Sequence, residues 1–241
     1  MIPTRHKIYQ HSLISSLASG VFDDDFTLQE LLGNGSFGIG TFNELDGEMV
    51  IVDGRCYQMR GDGSITEPPL SSKTPYALVT NFVPSLRMEL SDEMLRKGVG
   101  EIIDEMEPSS NYMYAVRITG EFNWVTTRTV VRQQRPYPSL VEATDGEDVL
   151  KFEHVKGVMA GFRTPEFQAT VSVPGCHVHF IDDERTMGGH VVDFELKSGV
   201  AELCIGTDLE LRLPLTEEYM RADLVPDDLQ EQLHKAEHSH K

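Results

Sequence analysis

The stretch PGCHVHFIDDERTMGGHVVDF, residues 174–194, decides how the rest of this chain is read. His177 and His179 are two apart, so on a β-strand both project from one face. The polar run DDERTMGG ends in two glycines and reads as a turn, and the alternating run HVVDFEL follows it. This is the pattern of an antiparallel hairpin. If it centres near Glu184 and Arg185, His190 falls opposite His179 and three imidazoles converge on one face. Neutral imidazole is the commonest metal ligand, and three protein ligands leave a coordination position open, as catalytic zinc requires. A His-x-His pair alone is as readily two surface or core histidines; the third residue at hairpin register is what favours metal.

Composition narrows the function classes. The 241 residues suffice for a full core, as one large domain or two small ones. The formal charge of −18 argues against a nucleic-acid partner and against docking on anionic membranes, both of which need clustered Lys and Arg. A small acidic substrate would therefore need a locally positive site, which a metal and an arginine would provide. Cys56, Cys176 and Cys204 do not suggest a disulfide framework, and Cys176, adjacent to His177, is expected to point to the opposite face and into core. No apolar run approaches the ~18 residues of a membrane helix, and the start has no continuous apolar signal-like region. A cytoplasmic location fits these features.

Along the chain, residues 8–19 are expected to form a short amphipathic helix, and Thr27 to cap a second one, LQELL. A β-meander is expected over 36–66, punctuated by LDG, VDG and RGDG, and another strand over 76–83. Ser91 is expected to cap a helix running to about Met106, with Pro108 beyond its end. Strands are then expected at 112–121, 123–133, 149–155, 166–173, 175–181, 189–196 and 200–213, and Pro226 and Asp227 should open a final helix. The fold class is α+β with much antiparallel sheet, with a soft boundary giving an N-terminal region 1–148 and a C-terminal region 149–241. Gly33, Gly35 and Gly38 spell the dinucleotide fingerprint GxGxxG, but a helix precedes them and a strand follows, the reverse of what that motif needs. They are expected to end a helix and to let backbones approach.

Several separated segments together resemble the alpha-acetolactate decarboxylase family. They are GTFNELDGEMVIVDGRCYQMRGDG at 40–63, TTRTVVRQ at 126–133, GFRTPEF at 161–167 and the histidine hairpin, and the likeness runs from about Tyr9 to about Glu237. The resemblance implies a larger mixed sheet and a smaller, antiparallel β-barrel-like sheet with the metal between them, and a C-terminal helix that folds back. It implies one zinc per chain on His177, His179 and His190, with no organic cofactor, in a homodimeric carboxy-lyase that converts (S)-2-acetolactate to (R)-acetoin and carbon dioxide through an enediolate. By the same resemblance Glu48, Arg128 and Glu237 are catalytic, and Thr41 and Leu45 line the substrate pocket.

Taken alone, these residues have plainer readings. Glu48 follows the turn Leu45-Asp46-Gly47 and could be a solvated hairpin flank; Glu237 could be an exposed tail residue, with Glu217 and Glu218 as competing carboxylates. Arg128 and Arg132 are four apart, hence on one face of a strand; the fork of Arg128 suits a carboxylate, and Arg132 reads as structural. Two rival functions remain. His177-x-His179 with Glu184 approaches a cupin metal motif, and a closed fourth ligand such as Cys176 or Asp193 would instead make a non-catalytic zinc staple.

Overall fold

The computed structural model describes residues 5–145 and 148–238, leaving aside the side chains of Asp148, Gln230, His234 and 236–238. Among the described residues, thirteen strands and six α-helices follow in the order β1 (Lys7–His11), α1 (Ile14–Ala18), α2 (Leu28–Leu32), β2 (Phe37–Thr41), β3 (Glu48–Val52), β4 (Arg55–Met59), β5 (Ile65–Thr66), β6 (Ala77–Thr80), β7 (Leu86–Leu90), β8 (Met94–Leu95), α3 (Arg96–Met106), β9 (Met113–Thr129), α4 (Leu140–Ala143), β10 (Asp148–Thr164), β11 (Gly175–Asp182), β12 (Gly188–Gly206), β13 (Asp208–Arg212), α5 (Glu217–Arg221) and α6 (Leu229–His238). Among the described residues no helix is long and apolar enough to cross a membrane. The three cysteines are unpaired; Cys56 and Cys204 are buried and Cys176 is half-buried.

The strands form two sheets. The first has seven strands in the order β13-β1-β6-β2-β3-β4-β5 and is mixed, because β13 runs parallel to β1. The second has the order β11-β10-β9-β12-β7, is antiparallel, and takes β8 as a short addition to β12. It is not the barrel-like closure expected from sequence: β11 touches the start of β12 over three residue pairs, but β7 remains an open edge. Nor do the sheets follow the chain in two halves. The boundary at 148/149 falls one residue into β10, which pairs with β9, and β13 returns to the first sheet.

The two sheets stack face to face, and strand alternation sorts every side chain into a layer. Val50 and Val52 of β3, Ile39 of β2 and Ile181 of β11 meet in the core between the sheets, together with Ile14 and Leu17 of α1, Leu140 of α4, and Leu229 and Leu233 of α6. Met49 and Ile51 face the other way and are covered by Leu28 and Leu31 of α2. Val178 and Phe180 of β11 point to the far side of the second sheet, where α3 covers them with Val99 and Ile103. The layers are therefore α2, sheet, sheet, α3, with α1, α4 and α6 plugging one end of the central core.

Several local expectations change. Residues 7–11 are strand, not helix, because β1 lies between β13 and β6 and is buried on both faces; helix begins only at Ile14. Ser91 does not cap α3: Leu95 and Met94 are held in strand by Glu195 and Leu196 of β12, which delays the helix to Arg96. The two strands expected on either side of residue 122 are one strand, β9. The strand expected over 166–173 is absent; Pro165 leads into a single 3-10 turn at Glu166–Gln168, while β10 runs on to Thr164. Thr27 does cap α2 with a reciprocal Glu30 bond. Of the decoy glycines, Gly33 is the C-cap of α2, and a Cβ on Gly38 would lie 2.1 Å from the Leu78 carbonyl oxygen.

Candidate active site

The histidine hairpin has the register expected from its sequence. His179 pairs with His190, Phe180 with Gly189 and Ile181 with Gly188. Asp182 closes the turn: its carboxylate accepts from the Thr186 and Met187 amides at 2.7 and 2.8 Å and from the Thr186 hydroxyl at 3.0 Å. Because β11 alternates, His177 and His179 share the face turned toward the first sheet, while Cys176 and Val178 face the cavity beneath α3. One nitrogen from each of His177, His179 and His190 lies within 4.8 Å of the others.

Neighbouring strands deliver the charged groups. Arg128 stands directly opposite His190 on β9, and its Nη2 lies 3.3 Å from His190 Nε2. Glu48 opens β3 in the facing sheet, after a turn that only glycine can make: Gly47 has φ 90°, and a Cβ there would sit 2.3 Å from the Met59 carbonyl oxygen. Alternation along β3 aims Glu48 at the inter-sheet face. One carboxylate oxygen accepts from the Val130 amide at 3.4 Å and the other lies 3.5 Å from His179 Nε2. Thr41, Leu45, Glu48, Arg128 and the three histidines border a single cavity. Thr41 donates its hydroxyl to the Gly47 carbonyl at 2.8 Å, which ties the pocket wall to the turn before Glu48.

The donor set fits a metal ion. His179 Nδ1 donates to the Met49 carbonyl at 2.8 Å, which leaves Nε2 with the lone pair. That buried Nε2 has no hydrogen-bond partner among the described residues; the 3.5 Å approach of Glu48 is an ion-pair distance, not a hydrogen bond. His177 Nε2 and His190 Nδ1 are 3.1 Å apart, close to the roughly 3.3 Å between two nitrogens on one tetrahedral zinc with bonds of about 2.0–2.1 Å. Burial first, and then the adjacent His177 and Arg128, hold His179 well below the ordinary imidazole range; burial and Arg128 do the same to His190. Both are thus neutral, the form that ligates.

Other expected residues fall elsewhere. Arg132 lies beyond the end of β9, is exposed, and pairs with Glu44, so it does not share the face of Arg128. Glu184 sits in the exposed hairpin turn and outside the histidine cluster, and Cys176 and Asp193 line the cavity beneath α3. Neither the cupin set nor a four-ligand staple is assembled. Glu217 and Glu218 are on exposed α5, paired with Arg221 and Arg135. Glu237 lies on α6, and its side chain is outside the described residues. Ile14 and Leu17 of α1, Tyr76, and Leu140 and Thr144 around α4 also border the cavity. Nothing in the sequence around these residues singled them out as pocket-lining. The Met49 carbonyl that orients His179 could not be read from sequence, because every residue has a carbonyl.

Three imidazoles, a carboxylate and a guanidinium in one cavity between two sheets define an α+β enzyme with a centre able to hold a metal ion. The family model described as Alpha-acetolactate decarboxylase matches residues 8–226. The alpha-acetolactate decarboxylase of Klebsiella aerogenes is 42% identical over 222 residues, 92% of this chain and 85% of that protein. The Bacillus subtilis strain 168 protein of that name is 40% identical over 90% of this chain and 86% of its own length. A crystal structure of the Bacillus subtilis strain 168 enzyme superposes with a TM-score of 0.95 at 39% identity, over 97% of this chain and 100% of that one. This chain belongs to the alpha-acetolactate decarboxylase family and is a carboxy-lyase.

Proposed function

We propose that the protein decarboxylates (S)-2-acetolactate to (R)-acetoin and carbon dioxide, with one zinc held by His177, His179 and His190. The observation that carries this reading is the convergence of the three histidines with Glu48 and Arg128 in one cavity. When bound, a divalent cation would supply Lewis-acid withdrawal of negative charge at the substrate's oxygens. Arg128 holds and orients the substrate carboxylate through its planar fork. As the carbon–carboxylate bond breaks, carbon dioxide leaves and the electron pair passes into the substrate's own ketone, giving an enediolate, so no organic cofactor is needed. Glu48 manages the hydroxyl proton and returns a proton to one face of that carbon, which yields a single enantiomer. Thr41 and Leu45 shape the wall against the carbon skeleton. Glu237, on α6, would serve as the second carboxylate; in support, Leu229 and Leu233 of the same helix are buried in the central core.

The test is to incubate zinc-loaded protein with racemic 2-acetolactate. Acetoin of one handedness should form from half of the substrate, stop after chelation and resume on adding zinc. No acetoin from metal-replete protein would overturn the reading; iron content with oxygen consumption would redirect it to oxygen chemistry.

A further inference from the structure

The active-site cavity carries its charge on its sheet walls and hydrocarbon at its plugged end. Among the described residues, every charged or imidazole group that borders it comes from the two sheets: Glu48 from the first, and Arg128, His177, His179 and His190 from the second. The end formed by α1 and α4 contributes Ile14, Leu17 and Leu140, which are 1%, 5% and 3% exposed. Thr144 borders the same end, and its hydroxyl donates back to the Val141 carbonyl at 3.2 Å. The plug therefore offers carbon to whatever the cavity holds. It is also fixed in place. The Ile14 amide donates to the Val171 carbonyl at 3.0 Å. Leu140 is the first residue of a helix closed by reciprocal bonds between Ser139 and Glu142. Helices α1 and α4 pack on each other and on α6, whose Leu229 and Leu233 share their core.

We propose that Ile14, Leu17 and Leu140 set which alkyl group the substrate can carry on its C2 carbon, and confine the enzyme to short ones. The inference rests on the decarboxylation of an acetolactate-type acid. In such an acid C2 is tetrahedral and bears a carboxylate, a hydroxyl, an acyl group and an alkyl group. The first three are the groups that Arg128, Glu48 and a histidine-bound cation recognise, so they turn toward the sheets. The fourth bond then points away from the polar groups and toward the plug. A methyl asks little of that end. A longer chain must push aside buried side chains on backbone that is pinned, and close-packed interiors yield to added methylenes only with strain. The acyl chain is different, because it continues from the ketone on the sheet side and does not meet the plug. One methylene too many in an apolar pocket changes kcat/KM by about 10–200-fold, so a wall of this kind is enough to discriminate homologues.

Three substrates read the pocket: 2-acetolactate, its homologue with propyl in place of the C2 methyl, and an isomer of that homologue with both added methylenes on the acyl side. Carbon dioxide release from zinc-loaded protein gives kcat/KM for each. Ratios are taken within one preparation, so any loss of folded protein in a variant cancels. The wild type should favour 2-acetolactate over the propyl homologue by at least ~10-fold. Leu17→Ala and Leu140→Ala, one from each helix, should each raise the propyl-to-methyl ratio by at least ~10-fold. Both should leave the ratio for the acyl isomer near its wild-type value. Leu31→Ala controls for general loosening: Leu31 is fully buried beneath α2, outside the cavity, and its loss should move neither ratio. The proposal is overturned if both plug variants keep the wild-type propyl ratio, or if Leu31→Ala raises it equally. A matching gain for the acyl isomer overturns it too, as does a wild type that takes propyl as readily as methyl. A wild type that forms no acetoin from 2-acetolactate would instead overturn the decarboxylation reading, and this inference with it.

Discussion

At the residue scale, the strongest consequences come from groups whose chemistry has no close substitute. Arg128→Lys keeps the positive charge and loses the fork that faces the cavity beside His190. The variant should keep its zinc and its circular dichroism while losing roughly 10²-fold or more in turnover, a scale typical of a lost preorganised donor; wild-type turnover would make Arg128 purely structural. Glu48→Gln is nearly isosteric and retains an acceptor for the Val130 amide. It should fold, hold zinc, and lose at least ~10²-fold in decarboxylation; parallel loss of zinc would make Glu48 a support for the metal ligands instead. The imidazoles give a pH effect whose sign is fixed. His179 and His190 resist protonation in the fold, whereas in the unfolded chain they take up protons as the pH falls through about 6.5. Below that pH the unfolded state binds more protons, so the metal-free protein loses stability there and gains nothing from these groups above it. Urea midpoints of the chelated protein should drop between pH 7.5 and 5.5, and a His179→Asn, His190→Asn double variant should show a shallower drop.

At the element scale, legibility followed the source of the signal. The hairpin could be read to the residue because two glycines, a two-residue alternation and a short turn are all local, and Asp182 closes that turn from within the same segment. The α2 cap was legible for the same reason. Strand β1 was not, since its residues are strand only because β13 and β6 flank them from distant parts of the chain. Of the site, the polar set was legible through the family resemblance, whereas the cavity walls from α1 and α4 were hidden among ordinary core residues. The last helix can be tested directly. With Leu229 and Leu233 buried in the central core beside α1 and α4, cutting the chain after Val225 uncovers the elements that border the cavity. Activity should vanish while one zinc per chain is retained on the hairpin. Leu233→Ala should cost about 2–5 kcal/mol in chemical denaturation, the range for a buried leucine. Full activity in the truncated chain would show α6 to be dispensable and would send the search for a second carboxylate elsewhere.

At the scale of the whole molecule, the cavity draws Glu48, Thr41 and Leu45 from one sheet and its histidines and Arg128 from the other. A ligand that binds only the folded state stabilises it by mass action. Chelating the metal should therefore lower the melting temperature of the entire chain in one transition, and adding zinc back should raise it with ligand concentration. Two separate transitions, only one of them metal-sensitive, would mean that the sheets melt independently. The pairing of β1 with β13, which brings Lys7 alongside Asp208, also sets a timetable for the nascent chain. About 200 residues separate the partners, so at roughly 5–20 residues per second the ribosome delivers the second some 10–40 seconds after the first. Through that interval β1 can pair with β6 on one side while its other side waits in the crowded exit environment. Chaperone engagement during synthesis should therefore peak on chains that have emerged past β6 but not yet past β13.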